Sequence, residues 1–161
     1  HVSPGYLDPT LGRTTFLADG WLATGDIGFQ DEEGRVFLTG RAKDVIIRGG
    51  HNIDPAAIED ALIGHPAVSI AAAVGQPDRY AGELPVAFVV LEAGATASEE
   101  ELLAFVAEAV PEPAARPKRI WLLDAMPLTP VGKIFKPALR AEAARYAVAA
   151  ALATLPALPR D

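Results

Sequence analysis

The sequence contains no cysteine, and that absence excludes several kinds of chemistry. Disulfide bonds, thiolate metal sites and cysteine nucleophiles all require this residue. Histidine is also scarce, because the chain has only three, at His1, His51 and His65. They lie far apart in sequence and show no metal-ligand spacing. We therefore expect no metal to be bound by this chain.

The sequence also lacks an excess of positive charge and a long apolar run. Its formal net charge is −7, whereas a nucleic-acid-binding protein needs a basic face. No apolar stretch is long enough to cross a bilayer, and no signal-peptide pattern is seen. We therefore expect no nucleic-acid partner and no transmembrane segment. Without disulfides, a cytoplasmic location is the expectation.

The composition is that of a globular protein. Half of the 161 residues are hydrophobic, which is enough for one domain with a core and an additional short arm. Small basic clusters interrupt the acidic sequence, and they favour a small anionic ligand over a polymer. Solvated surface side chains are the alternative explanation for any one cluster. The clusters are Arg41/Lys43/Arg48, Arg116/Lys118/Arg119 and Lys133/Lys136/Arg140.

The stretch from residue 40 to residue 59 has the densest set of structural signals. The β-branched run Val45–Ile47 predicts a short buried strand. Gly49 and Gly50 predict a chain reversal, since glycine adopts positive φ without steric cost. Asp54 before Pro55 predicts the start of a helix. We expect three cations to lie beside the bare glycine backbone, where an anion could bind: Arg41, Lys43 and Arg48.

The remaining patterns predict an α+β fold, a small mixed β-sheet packed with helices and preceded by a short β-hairpin arm. In the arm, the turn 30–34 should join strands at 21–22 and 36–38. Further strands are expected at 68–74, 84–91 and 119–124, with a turn at 75–78. The predicted helices are 55–63, one beginning at the capping box of residues 98–101, and 137–155.

Four motifs occur in order along the chain: Gly20–Asp26 (GWLATGD), Gly40–Asp44 (GRAKD), Gly49–Glu59 (GGHNIDPAAIE) and Pro127–Lys133 (PLTPVGK). Together they resemble the adenylate-forming ligases, the superfamily of acyl-CoA synthetases, firefly-type luciferases and peptide-synthetase adenylation domains. The resemblance covers only the last part of such an enzyme. It implies that residues 1–42 are the end of the large N-terminal adenylation domain and residues 43–161 the mobile C-terminal domain.

The resemblance also implies roles for individual residues. The family lysine that matches Lys133 reaches the substrate carboxylate and the AMP phosphate, which makes Lys133 the catalytic candidate; an ordinary surface lysine is the alternative. Asp26 and Arg41 match the nucleotide-binding residues of the family. A local turn and a surface ion pair, respectively, are the alternatives for these two. Lys43 matches the hinge about which the C-terminal domain rotates.

The glycine turn has an implied role as well. Gly49, Gly50 and His51 match the loop that lines the pantetheine tunnel in thioester-forming members of the family. A turn selected for its geometry alone is the alternative, and the two interpretations are compatible. Asp44 and Glu59 are interpreted as structural.

By resemblance, then, we expect the C-terminal part of an acyl-CoA synthetase, which is inactive when separated from its N-terminal domain. ATP, Mg²⁺ and CoA are the implied cofactors, with ATP and Mg²⁺ bound mainly by the N-terminal domain. A carboxylic acid, CoA, the N-terminal domain and a lysine acetylase acting on Lys133 are the implied partners. The alternatives are an adenylation domain that loads a carrier protein and a stand-alone, non-catalytic binding module of the same fold.

Overall fold

The computed structural model describes residues 7–8, 15–17 and 19–154. The chain divides into two compact units between Lys43 and Asp44. The described part of the first unit contains an antiparallel hairpin of β1 (Asp26–Gln30) and β2 (Val36–Arg41). The Asp31 carboxylate accepts hydrogen bonds from the N–H groups of Glu33 and Arg35 and so closes the turn between β1 and β2.

The predicted hairpin is present, but its first strand is not the predicted one. The strand that pairs with β2 is β1, whereas Leu22 makes only an isolated bridge to Phe16. The reason is the short turn, which pairs the residues immediately on either side of it. Trp21, in the first unit, is 70% exposed.

The second unit contains a five-stranded mixed sheet, which the 3₁₀ turn Ala42–Asp44 precedes. The strands are β3 (Ile46–Arg48), β4 (His51–Ile53), β5 (Val68–Asp78), β6 (Gly82–Leu91) and β7 (Ile120–Leu122). Four of them are hydrogen-bonded in the order β4-β3-β6-β5, and β7 pairs with β6 in parallel. The helices are α1 (Pro55–Ile63), α2 (Glu99–Ala109) and α3 (Lys136–Ala153).

The sheet of the second unit has a hydrophobic layer on each face. Successive side chains of a strand point to opposite faces, and the buried residues of β5 and β6 divide between two clusters accordingly. One cluster packs against α1 and α2, and the other packs against α3. In the second cluster Trp121 stacks between Phe88 and Tyr146, with ring centroids 5.0 and 4.6 Å apart. The predicted α+β fold is confirmed.

The predicted helix caps are present. The Asp54 carboxylate accepts the N–H of Ala56 at 3.0 Å, and Pro55 occupies the first position of α1. The Ser98 hydroxyl accepts the N–H of Glu101 at 3.2 Å at the start of α2. Each bond satisfies a backbone donor that has no partner within its helix. Among the residues described, no helix is long and apolar enough to cross a membrane.

Two predictions about strands are wrong in detail. β5 does not stop before a turn at 75–78 but continues through Pro77 to Asp78. Proline is tolerated there because β5 is an edge strand, whose outer side needs no ladder bond. The strand predicted to be buried at Val45–Ile47 is only half buried, since Ile46 is 1% exposed and Ile47 is 56% exposed.

Candidate functional site

Lys133 lies at the end of a tightly closed loop. The Thr129 N–H donates to the Lys133 carbonyl at 2.7 Å, and the Gly132 N–H donates to the Thr129 carbonyl at 2.9 Å. Gly132 has φ +78, and Pro130, two residues earlier, has the fixed φ that suits the start of such a turn. The Thr129 hydroxyl accepts the Lys133 N–H at 3.1 Å. The loop backbone therefore holds the α-carbon of Lys133 in one position.

The Lys133 side chain extends into solvent from this loop. It is exposed, and its ammonium makes no ion pair with any of the described residues. The neighbouring cations on α3 differ, because Lys136 and Arg140 are paired with Glu59 and Asp44. Of these three cations, Lys133 is thus the one whose charge is available to an anionic ligand.

The glycine turn joins β3 to β4. Gly49 has φ +54 and Gly50 has φ +88, so both central residues are left-handed, as a two-residue hairpin turn requires. A Cβ at either position would meet nothing within 4 Å. Glycine is therefore needed here for its backbone conformation. The Gly49 N–H donates to the Ala81 carbonyl at 2.8 Å, which ties the turn to the residue before β6.

An open groove of about 470 Å³ lies beside the glycine turn. On it, His51 Nδ1 is 2.9 Å from Glu112 Oε1, and Arg48 Nη1 donates to the Ala114 carbonyl at 2.6 Å. Arg48 therefore connects the glycine-turn side of the groove to its opposite wall. The groove is lined by Arg48, Gly49, His51, Ala81, Pro113, Ala114 and Lys118.

Asp26 and Arg41, the two nucleotide-binding candidates, lie opposite each other on the hairpin of the first unit. Asp26 Oδ1 is 3.1 Å from Arg41 Nε, and the side chains are 25% and 54% exposed. The Asp26 N–H donates to the Thr24 hydroxyl at 3.1 Å. The ion pair foreseen as the alternative for Arg41 is thus present, and its acid is Asp26. It leaves other donors of the guanidinium and a second carboxylate oxygen for a ligand.

Lys43, the hinge candidate, occupies the middle of the 3₁₀ turn Ala42–Asp44. The boundary between the two compact units falls directly after it. The hinge candidate is thus the last residue of the first unit.

The structure brings Gly49, Gly50 and His51 together, and it pairs Asp26 with Arg41. Two residues beside the glycine turn were missed as site residues: Lys118, which lines the groove, and Glu112, which pairs with His51. The contact between His51 and Glu112 spans 61 positions, and local pattern carries no such information. For Lys118 the only signal was the basic cluster that contains it. Within the described ranges, no group of three or more histidine or acidic side chains could hold a metal ion.

Comparison with known proteins gives consistent matches. Residues 57–133 match the family model described as the AMP-binding enzyme C-terminal domain. The chain is 52% identical over 136 residues to marinolic acid–CoA ligase of Pseudoalteromonas sp. (strain SANK 73390), and this covers 84% of the chain and 21% of that protein. It is 44% identical over 144 residues to 4-coumarate–CoA ligase 2 of Petroselinum crispum, covering 89% of the chain and 26% of the relative.

A solved structure agrees with these matches. The crystal structure of ATP-bound MatB from Rhodopseudomonas palustris superposes with a TM-score of 0.82 at 33% identity, covering 89% of the chain and 28% of that protein. The chain thus spans about a quarter of the length of the proteins it matches. The match to the family model begins within the third motif and ends at Lys133, the last residue of the fourth.

Proposed function

The chain belongs to the AMP-binding enzyme C-terminal domain family, and on this premise we propose that it is the C-terminal part of an AMP-forming acyl-CoA synthetase. The observation that carries the proposal is Lys133, at the end of the family match. Its exposed ammonium is unpaired among the described residues, and it stands on a loop fixed by hydrogen bonds. Two of the relatives are named as CoA ligases, and MatB was crystallised with ATP bound.

The proposed reaction has two halves. In the first, a carboxylate oxygen attacks the α-phosphate of ATP, and the bond to the leaving pyrophosphate breaks to give an acyl-adenylate. In the second, the thiol of CoA attacks the acyl carbon, AMP leaves, and the thiol proton is released. Negative charge shifts between carboxylate and phosphate oxygens in the first half. An ammonium held beside those oxygens stabilises that charge, and this is the role proposed for Lys133.

Nucleotide binding is proposed for Asp26 and Arg41. The second carboxylate oxygen of Asp26 can accept hydroxyl protons of a ribose, while the guanidinium of Arg41 can keep its bond to Asp26 and donate to a phosphate. ATP and Mg²⁺ would be bound mainly by the N-terminal domain that the resemblance implies for the full-length protein.

The second half-reaction is proposed to use the glycine turn. Gly49 and Gly50 present a wall without side chains, and His51 and Lys118 line the adjoining groove. A narrow pantetheine arm fits such a surface, and Lys118 supplies a cation for an anionic ligand such as CoA. Because Lys133 and the glycine turn serve different steps, the second unit would rotate between two poses, with Lys43 as the hinge.

The direct test uses the full-length protein that contains this chain. Acid-dependent ATP–pyrophosphate exchange and thioester formation would be measured against a panel of carboxylic acids, with either CoA or a phosphopantetheinylated carrier protein as acceptor. We expect one class of acid to support exchange and CoA to accept the acyl group. Transfer to the carrier protein alone would favour the carrier-loading alternative. Absence of exchange with every acid would favour a non-catalytic binding module.

The isolated 161 residues give a second test. We expect them to show no ATP–pyrophosphate exchange, because the chain covers only about a quarter of its relatives' length. Robust exchange by this chain alone, lost on Lys133→Ala, would overturn the division of the site between two domains.

Regulation by a lysine acetylase is proposed at the same residue. Acetylation of Lys133 would remove its positive charge and so would abolish the first half-reaction. Mass spectrometry of the protein from cells, together with exchange assays on acetylated and deacetylated samples, would test this.

A further inference from the structure

The start of α3 is fixed to the rest of the second unit by a poorly exposed ion pair. Lys136 Nζ is 2.7 Å from Glu59 Oε1, and the two side chains are 18% and 19% exposed. The same Glu59 oxygen accepts the N–H of Ala73 at 2.8 Å. Glu59 is therefore held by α1, on which it lies, and by β5, and it can fix Lys136 in turn.

A second ion pair acts on the next turn of α3. Arg140 Nη2 is 2.6 Å from Asp44 Oδ1, with the side chains 30% and 19% exposed. Residues four positions apart lie on the same side of a helix, so Lys136 and Arg140 point to the same face of α3. Asp44 is the first residue of the second unit and directly follows Lys43.

The cations of both pairs, Lys136 and Arg140, follow Lys133 closely along the chain. Lys136 comes three residues after it, and the intervening backbone is tied down because the Phe135 N–H donates to the Pro127 carbonyl at 2.8 Å. A displacement or rotation of the first turns of α3 would therefore move the Lys133 loop. The two ion pairs, Lys136–Glu59 and Arg140–Asp44, are called the α3 clamp below.

Half-buried ion pairs are poor evidence of stabilisation, because the cost of desolvating both charges offsets much of their attraction. Such pairs can instead select one arrangement of the groups they join. Stability alone therefore does not account for two of them on the same face of one helix, next to the candidate catalytic loop.

We propose that the α3 clamp positions Lys133 relative to Asp44, the residue after the hinge candidate, and that the adenylation half-reaction depends on this positioning. The inference rests on the proposed function. The four clamp residues are positioning residues: they act through Lys133 and touch no substrate. Misplacement of a reacting group by about 1 Å costs about a hundredfold in rate, so loosening the clamp should have a large effect on adenylation.

The test uses the full-length protein and substitutions that change charge with little change in shape. Lys136→Met and Arg140→Met remove a cation and keep an apolar stem. Glu59→Gln keeps an oxygen for the Ala73 N–H and removes the negative charge. Arg145→Met is the matched control, because Arg145 pairs with Glu142 on α3 itself and its ion pair connects no other element.

Acid-dependent ATP–pyrophosphate exchange should fall by about tenfold to a hundredfold in each clamp variant. Thioester formation from supplied acyl-adenylate should stay within about twofold of wild type. Arg145→Met should change neither, and Lys136→Arg should restore most of the exchange that Lys136→Met loses. Combining Glu59→Gln with Lys136→Met should cost no more exchange than either change alone, because the two residues act as one unit.

A parallel loss of both half-reactions would show a merely structural role and overturn the proposal. Unchanged exchange in all clamp variants would overturn it as well. Lys133→Ala, measured alongside, separates the positioning role from the proposed function. If that variant keeps full exchange, the adenylation role proposed for Lys133 is wrong and the positioning role falls with it; if it loses exchange while the clamp variants keep it, only the positioning role is wrong. Thermal unfolding of every variant identifies one that does not fold, and Glu59→Gln then serves as the mildest test.

Discussion

Gly50 and Asp78 illustrate how single residues shape the groove beside the glycine turn. Gly50 allows the left-handed backbone between β3 and β4. Asp78 closes the turn between β5 and β6, where its carboxylate accepts the N–H groups of Tyr80 and Ala81 at 2.9 and 2.8 Å. The Ala81 carbonyl in turn accepts the N–H of Gly49. The two turns are thus linked by hydrogen bonds, and each residue can be tested separately.

Gly50→Ala should weaken folding and thioester formation together. Its φ of +88 is unfavourable for a residue with a Cβ, which costs about 1–2 kcal/mol. Denaturant unfolding would measure this cost, and thioester formation from supplied acyl-adenylate would measure the second effect. Gly94→Ala is the matched control, since Gly94 has φ +80 and open space around it. A similar loss of thioester formation in the control would contradict a role for Gly50 in CoA binding.

The turn closed by Asp78 should open at low pH. The N–H bonds from Ala81 and Tyr80 hold the pKa of the Asp78 carboxyl below its ordinary value of 3.8. The unfolded chain therefore takes up this proton at a higher pH than the folded chain. The stability contributed by the bonds is complete above the unfolded pKa and is lost as the pH falls through the folded one.

Amide hydrogen exchange provides the measurement for this turn. Protection factors of Tyr80 and Ala81 should decrease as the pH falls from about 5 to below 3.8. In Asp78→Asn the protection factors of these two amides should be lower already at about pH 5 and should show little dependence on pH over the same range. Protection that is independent of pH in the wild-type protein would contradict the assignment.

At the scale of elements, the sequence predicted helices better than strand ends. Caps at Asp54 and Ser98 marked the starts of α1 and α2, because a cap is a local interaction. The extension of β5 through Pro77 was missed, since it depends on a long pairing with β6 and on the position of β5 at the sheet edge. The pairing of β1 with β2 was also missed, because several nearby short runs could have paired with β2.

The stability contributed by the hydrophobic layer between the sheet and α3 should depend strongly on Phe88. Phe88 is fully buried and stacks on Trp121. Phe88→Ala would leave a large cavity and should reduce the free energy of unfolding by about 3–5 kcal/mol. Val148→Ala on α3, which is 58% exposed, should change it by less than about 0.5 kcal/mol. Chemical denaturation would measure both changes in the free energy of unfolding, with hydrogen exchange of the β6 amides as the probe of this layer. Equal effects of the two substitutions would contradict the packing described.

At the scale of the whole molecule, motif order predicted the family and the fold, and three-dimensional contacts added what motifs could not. The Pro127–Lys133 motif identified Lys133, but nothing in it indicated that Glu59 and Asp44 would hold the helix that follows. The pairing of His51 with Glu112 was likewise hidden by about sixty intervening positions. The roles proposed for Lys133, Asp26, Arg41, Lys43 and the glycine turn are predictions for assays of the full-length protein.

The most direct test compares the two half-reactions in the full-length protein, wild type beside Lys133→Ala. We predict that acid-dependent ATP–pyrophosphate exchange falls by about a hundredfold or more, since removing a charge-stabilising donor typically has that effect. Thioester formation from supplied acyl-adenylate should stay within about twofold of wild type, because the glycine turn serves that step. Unchanged exchange in Lys133→Ala would contradict the proposed adenylation role and leave Lys133 as an ordinary surface lysine.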